Sequence, residues 1–288
     1  MSLSKSVQAL VRRAGFDVHS LRSEHHLALD YRVSTRPRYG HKTPPHAGIL
    51  RLLDERAAAF ERTLSDIENR SDLFGSIPAK SNGDHLSPYW DQGWFPPLDA
   101  CALMHFLLNF RPKRYVEIGS GNSTIFTHHA KRVGALSTHI TSIDPQPRAG
   151  IDRLCDRVFR TPLEDIDFAV FDELEAGDFL FFDGSHRVFQ DSDVTVFFLD
   201  VLPRVKPGVI VHIHDIFWPN DYPPAWGDRY YSEQYMLAVA LLYAPQAYEI
   251  LFPCVYVDHR FRERVAALTS GEPVFGVYGT GFWLRKNG

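Results

Sequence analysis

Between Lys113 and Thr127 the chain reads K-R-Y-V-E-I-G-S-G-N-S-T-I-F-T. Tyr115, Val116 and Ile118 give a short apolar run of the kind that forms a buried strand. The run passes into Glu117-Ile118-Gly119-Ser120-Gly121, after which Asn122, Ser123 or Thr124 can cap a helix. A strand, a glycine turn and a helix N-terminus together let backbone come close to a ligand, although tight strand-to-helix turns also serve structure alone. Three further acids follow apolar runs: Asp144 after H-I-T-S-I, Asp183 after F-L-F-F and Asp215 after V-I-V-H-I-H. Asp183 opens the stretch D-G-S-H, which ends on His186. His212 and His214 lie two apart on one face of their strand. Such a pair can hold a metal, but a histidine inside an apolar strand is more often a hydrogen-bonded core residue.

These side chains need a scaffold, and the pattern around them supplies one. After the strand at the glycine turn, strands are expected at 139–144, 157–160, 178–184, 209–215, 249–257 and 281–285. Leu52, Leu53, Ala57, Phe60, Leu64 and Ile67 recur at three and four, so 49–68 reads as an amphipathic helix. Further helices are expected at 98–110, at 191–205 before Pro207-Gly208, and at 229–243. Leu3 to Ala14 reads as one more, stopped by Gly15. Strands alternating with helices predict an α/β fold with a doubly wound, mostly parallel seven-stranded Rossmann-like sheet, preceded by a helical and irregular N-terminal extension. Ligands bind such sheets outside the carboxyl ends of the strands. Glu117, Asp144, Asp183 and Asp215 are therefore expected along one rim.

Two long loops flank that rim. The stretch 76–97 carries Tyr89, Trp90, Trp94 and Phe95, either as a cover over a ligand or as the plug of the loop itself. The stretch 217–231 offers Trp218, Asp221, Tyr222, Trp226 and Arg229 as the wall of an acceptor pocket. Three regions result: a basic arm at 1–48, a helical and aromatic-loop cap at 49–97, and a ligand-binding domain at 98–288. The arm holds eight Lys or Arg against three acids, a dilute charge suited to a surface appendage or an oligomer arm.

Composition narrows the class. With 288 residues, 44% of them hydrophobic, the chain can bury one large core. A formal charge of −4 and a pI near 6.4 give no overall basic field for nucleic acid. Cys101, Cys155 and Cys254 are odd in number and widely spaced, which suits a reducing compartment better than a disulfide framework. No apolar run approaches the roughly 18 residues of a membrane span, and no signal-peptide core stands at the N-terminus. A cytoplasmic protein is expected, with a homo-oligomer left open.

The turn invites comparison with two fingerprints. A dinucleotide-binding turn wants G-x-G-x-x-G, whose third glycine is here Thr124. Class I S-adenosylmethionine-dependent methyltransferases instead show E/D-x-G-x-G, which Glu117-Ile118-Gly119-Ser120-Gly121 resembles, with Asn122-Ser123 where many members carry another glycine. The resemblance spans about Trp94 to Arg285. It implies that S-adenosylmethionine is the cofactor and that Glu117, Gly119, Ser120, Gly121, Ser123, Asp144, Pro162, Leu163 and Asp183 surround it. Asp144 would accept hydrogen bonds from both ribose hydroxyls, and Pro162 and Leu163 would lie near the adenine.

Asp183-Gly184-Ser185-His186 and His214-Asp215 are similar to motifs of divalent-metal-dependent sugar O-methyltransferases. In those, strand-end acids hold magnesium and a histidine three residues after the first acid serves as base. By that resemblance His186 is the base, with Asp183 and His214 beside it, and Asp183, His214 and Asp215 are the metal set. His214 stands where those enzymes have an acid, which opens the way to a softer ion than Mg²⁺ or to no metal at all. The implied activity is methyl transfer to a hydroxyl of a small-molecule or saccharide acceptor. The alternatives are a metal-dependent hydrolase or lyase built on His212, His214, Asp183 and Asp215, and a cofactor-binding scaffold without catalysis.

Overall fold

A computed structural model describes residues 11, 13–14, 33–147 and 150–288. The expected helix at Leu3–Ala14 and most of the basic arm fall outside the described residues. The chain divides into two compact units, Met1–Thr35 and Arg36–Gly288. The second carries everything that follows.

Its centre is a seven-stranded sheet in the order β3-β2-β1-β4-β5-β7-β6. The strands are β1 (Arg114–Ile118), β2 (His139–Ile143), β3 (Arg157–Phe159), β4 (Phe179–Phe182), β5 (Ile210–Ile213), β6 (Tyr248–Pro253) and β7 (Phe282–Lys286). The first five pair in parallel, and β7 runs antiparallel between β5 and β6. All four residues of β4 and of β5 are buried, as strands covered on both faces must be.

Helices fill both faces: α1 (Ala47–Asp54), α2 (Ala57–Glu68), α3 (Pro97–Phe110), α4 (Asn122–Val133), α5 (Glu233–Tyr243) and α6 (Cys254–Arg260). In α3 every residue from Pro97 to Leu107 is buried, and the proline sits at the first turn, where its missing N–H costs nothing. Among the described residues no helix is long and apolar enough to cross a membrane.

Three expected elements differ. The helix at 49–68 is broken after Asp54, where the Arg56 side chain turns away to the Ile250 carbonyl (2.9 Å) and the Glu249 carboxylate (2.5 Å). The strand expected to run to Val257 stops at Pro253, which has no N–H for a ladder and stands as the N-cap of α6. The helix expected from Arg229 starts at Glu233. Pro224–Arg229 forms a 3-10 turn and Tyr230 takes a left-handed φ of 55°, which a continuous helix cannot contain. Residues 38–46 pack on the loop after β5: Asp221 accepts the N–H groups of Arg38 (2.5 Å) and Tyr39 (2.9 Å).

Candidate active site

Strand register sets the site. Ile143, Ile118, Phe182 and Ile213 are partners across β2, β1, β4 and β5. The next residue in each strand, Asp144, Gly119, Asp183 and His214, therefore stands in one row at the carboxyl edge. Backbone bonds lock the row: Gly119 N–H to Ile143 O (3.0 Å), Asp183 N–H to Ile118 O (2.9 Å) and His214 N–H to Phe182 O (2.9 Å). Gly119 has φ +79°, and a Cβ there would lie 1.8 Å from the Asp183 carbonyl oxygen. Any side chain at this position has to push β1 and β4 apart.

Glu117 is not in that row. It stands two residues below, and the pleat aims it into the core with Phe181 and His212. It is completely buried. The Tyr115 hydroxyl donates to its Oε1 at 3.0 Å, and the Thr124 hydroxyl donates to its Oε2. Burial, only partly countered by hydrogen bonds from Ser123, Thr124 and Tyr115, raises its carboxyl to about 7. Thr124 also accepts the Gly121 N–H at 3.1 Å, so Glu117 fastens the start of α4 to β1. The expected rim of four acids is thus a rim of three.

A cavity of about 500 Å³ opens along the row, within the range of small-molecule sites. Of the residues singled out for a cofactor, Gly119, Ser120, Asp144, Pro162, Leu163 and Asp183 line it, whereas Glu117, Gly121 and Ser123 lie outside its wall. Asp144 accepts the Ser120 N–H on one oxygen and the Gln146 N–H on the other, both at 2.8 Å. Each oxygen keeps a further acceptor lone pair. Ile143, Pro145, Pro162 and Leu163 add apolar walls beside it. Acceptor oxygens next to an apolar slot suit a nucleoside, whose sugar is hydroxylated and whose base is flat.

A second cavity, about 260 Å³, lies beyond Asp183. Asp183, His186 and Tyr231 line both. His214 and Asp215 line the second alone, as do Trp226 and Arg229 from the loop after β5. The other three loop candidates serve structure. Trp218 donates its indole N–H to the Gln234 carbonyl (2.6 Å), Tyr222 packs under Trp226, and Asp221 holds residues 38–39. The aromatic loop before α3 divides likewise: Trp90 and Phe95 are buried against Phe126, while Trp94, 63% exposed, forms part of the second cavity's rim.

His186 sits at the boundary of the two cavities, with a left-handed φ of 65°. Its Nδ1 is 2.5 Å from Oε1 of Glu233, a wholly buried acid. Its Nε2 is 3.3 Å from Asp183 and 3.6 Å from Asp215. Burial alone would depress the imidazole; the Glu233 carboxylate, followed by Asp215 and Asp183, outweighs it and lifts the group to about 9. The ordinary value of about 6.5 expected of a base therefore does not hold here. His214 is raised too: Asp183, Asp215 and Asp99 overcome its burial.

Glu233 and Asp99 were absent from the candidates. Each stands in the first turn of a helix, α5 and α3, where an acid ordinarily does no more than complement the helix dipole. Asp99 also accepts the N–H groups of Thr280 and Gly281, both at 2.8 Å, which pins the start of β7 to α3.

Among the described residues no group of three or more His, Cys, Asp or Glu side chains is disposed to hold a metal ion. The imidazoles of His186 and His214 lie against the carboxylates of Asp183 and Asp215 at 3.3–3.7 Å. His212 is a core residue, stacked on Phe181 at 4.0 Å, and it lines neither cavity. Contrary to expectation, neither of its ring nitrogens has a hydrogen-bond partner among the described residues.

The doubly wound sheet with a reversed β7, a glycine turn after β1 and an acid after β2 is the Rossmann-like arrangement expected from the sequence. Residues 116–216 match the family described as a methyltransferase domain. A relative, an uncharacterized protein of Archaeoglobus fulgidus, is 35% identical over 97 residues, 30% of this chain and 42% of that protein. The match thus spans less than half of the relative's length. Among solved structures, the chain is similar to the SAH-bound Podospora anserina methyltransferase PaMTH1, at 14% identity and TM-score 0.41 over 87% of this chain and all of that one. It is also similar to a Bacillus cereus O-methyltransferase in complex with SAH, at 16% identity and TM-score 0.39 over 79% of this chain and 91% of that one.

Proposed function

We propose that the protein transfers a methyl group from S-adenosylmethionine to a hydroxyl of a small-molecule or saccharide acceptor. The observation that carries this reading is the shared wall: a nucleoside-sized cavity and a smaller aromatic one meet at Asp183, His186 and Tyr231. Residues 98–288 hold both ligands, and residues 49–97 cap the second cavity through Trp94.

Asp144 would receive the ribose hydroxyls of the cofactor, the Gly119–Ser120 turn would lie along its amino-acid portion, and Pro162 and Leu163 would flank the adenine. The bound cofactor supplies an electrophilic methyl on a sulfonium. Asp183 and Asp215, which line the second cavity, would orient the acceptor hydroxyl toward that methyl. Nε2 of His186 would take the hydroxyl proton as the methyl passes to the acceptor oxygen. Glu233, at Nδ1, fixes the ring's orientation and stabilises the imidazolium that results. His214 neutralises Asp183 and Asp215, so that the carboxylates do not repel one another.

Incubation with methyl-labelled S-adenosylmethionine and a panel of sugars, phenols, amines and thiols tests the reading. Label is expected in an O-methyl ether. Label appearing solely on nitrogen or sulfur acceptors would remove the hydroxyl assignment.

A further inference from the structure

The second cavity is acidic at its floor and cationic at its mouth. Asp183 and Asp215 stand at the floor with their histidines, and Arg229 stands at the mouth. The Arg229 guanidinium carbon lies 4.1 Å from the Trp226 ring, 5.2 Å from Phe275 and 5.5 Å from Tyr231. Three ring faces thus fix the position of the charge. Its backbone is fixed as well, because the Arg229 carbonyl accepts the Nε–H of Arg187 at 2.9 Å.

What Arg229 lacks is an acid. Among the described residues no carboxylate pairs with it, whereas Arg56, Arg204, Arg262 and Arg264 each have one within 3.1 Å. A half-buried guanidinium held in place and left unpaired at a cavity mouth is prepared for an oxyanion, which its planar fork engages through two hydrogen bonds. Phe275, 56% exposed, and Trp94, which is also exposed, add aromatic side chains to the lining.

We infer that the methyl acceptor is a compact hydroxy acid: its hydroxyl points to Asp183 and His186, and its oxyanion, a carboxylate or a phosphate, is held by Arg229. This rests on the methyl-transfer reading for the role of the hydroxyl, though the oxyanion site can be measured without it.

The test is a set of matched pairs titrated with and without S-adenosylmethionine: glucuronate against glucose, 3- and 4-hydroxybenzoate against the corresponding amides, and glucose 6-phosphate as the phosphate arm. At least one anion is expected to bind ten-fold or more tightly than its neutral partner. Arg229→Met, which keeps the apolar stem, is expected to abolish that preference while the affinity for S-adenosylmethionine stays within two-fold, and Arg229→Lys to restore part of it. A phosphate preferred over the carboxylates, and lost in Arg229→Met, supports the site with phosphate as the anion. Equal binding of neutral and anionic partners, a preference that survives Arg229→Met, or no binding by any pair member overturns the inference. Absent binding of S-adenosylmethionine, with the Arg229-dependent preference intact, would instead overturn the methyl-transfer reading and leave the oxyanion site standing.

Discussion

The two cavities are built in different ways. The walls of the larger come mostly from residues that directly follow strands, such as Gly119 and Ser120 after β1 and Asp144 to Gln146 after β2, together with the turns at 162–164 and 183–187. Parallel pairing alone brings these together, and backbone does much of the contacting. The smaller is assembled from side chains that lie far apart in sequence: Trp94, Asp183, His214, Trp226 and Phe275. Topology places the first; tertiary packing of loops places the second. A cavity made by strand ends is tied to the sheet, and altering it strains the fold. One made by loop side chains can change its chemistry while the sheet stays as it is.

Gly119→Ala is the sharpest way to break the larger cavity. A Cβ 1.8 Å from the Asp183 carbonyl, on a backbone with φ +79°, has to displace the end of β4. Loss of cofactor affinity by 100-fold or more is expected in calorimetry, with destabilisation of about 2 kcal/mol or more in denaturant titration. An Ala variant that binds normally would show that the strand ends do not shape the site.

The boundary residue comes next in size. His186→Ala is expected to lower kcat by about 10²- to 10⁴-fold, as loss of a general base does, with cofactor affinity unchanged. The pH profile refines this. With His186 raised to about 9, the unprotonated base makes up about 1% of the protein at pH 7, so kcat should climb roughly ten-fold per pH unit and level off near pH 9. Stability should move the opposite way. A folded value above the unfolded one means that the imidazolium's contribution is fully present below about pH 6.5 and is lost as pH rises through about 9. Glu233→Gln removes the carboxylate that raises His186 most, so the kcat limb should shift to lower pH. A limb that stays where it is would mean that another group accepts the proton.

His212→Phe is the smallest expected effect and marks the edge of the site. Both ring nitrogens are unpaired within an apolar stack, so an apolar ring should change stability by no more than about 1 kcal/mol and leave kcat untouched. A large loss of activity would revive the hydrolase or lyase reading that needs His212.

The same contrast decides what could be read from the sequence. Asp144 and Asp183 were legible because an acid directly after a parallel strand has one place to go. Glu117 misled because the acid two residues before the glycine looks like its counterparts, while the pleat turns it into the core. Glu233 and Asp99 were hidden because each resembles an ordinary acid at the start of a helix. Glu233 meets His186 from 47 residues away, and Asp99 bonds Thr280 from 181 away. The signal available was their setting, a lone acid in the first turn of a helix otherwise rich in apolar residues, where burial demands a partner. Arg229 could be named as a contact from its loop, but its ring cage exists solely in the folded chain.

Titration of the purified protein with S-adenosylmethionine in a calorimeter tests the central claim most directly. One site per chain is expected, filled at micromolar concentrations and weakened ten-fold or more in Asp144→Ala. No heat of binding, or binding indifferent to Asp144, would contradict the assignment of the larger cavity to a methyl donor.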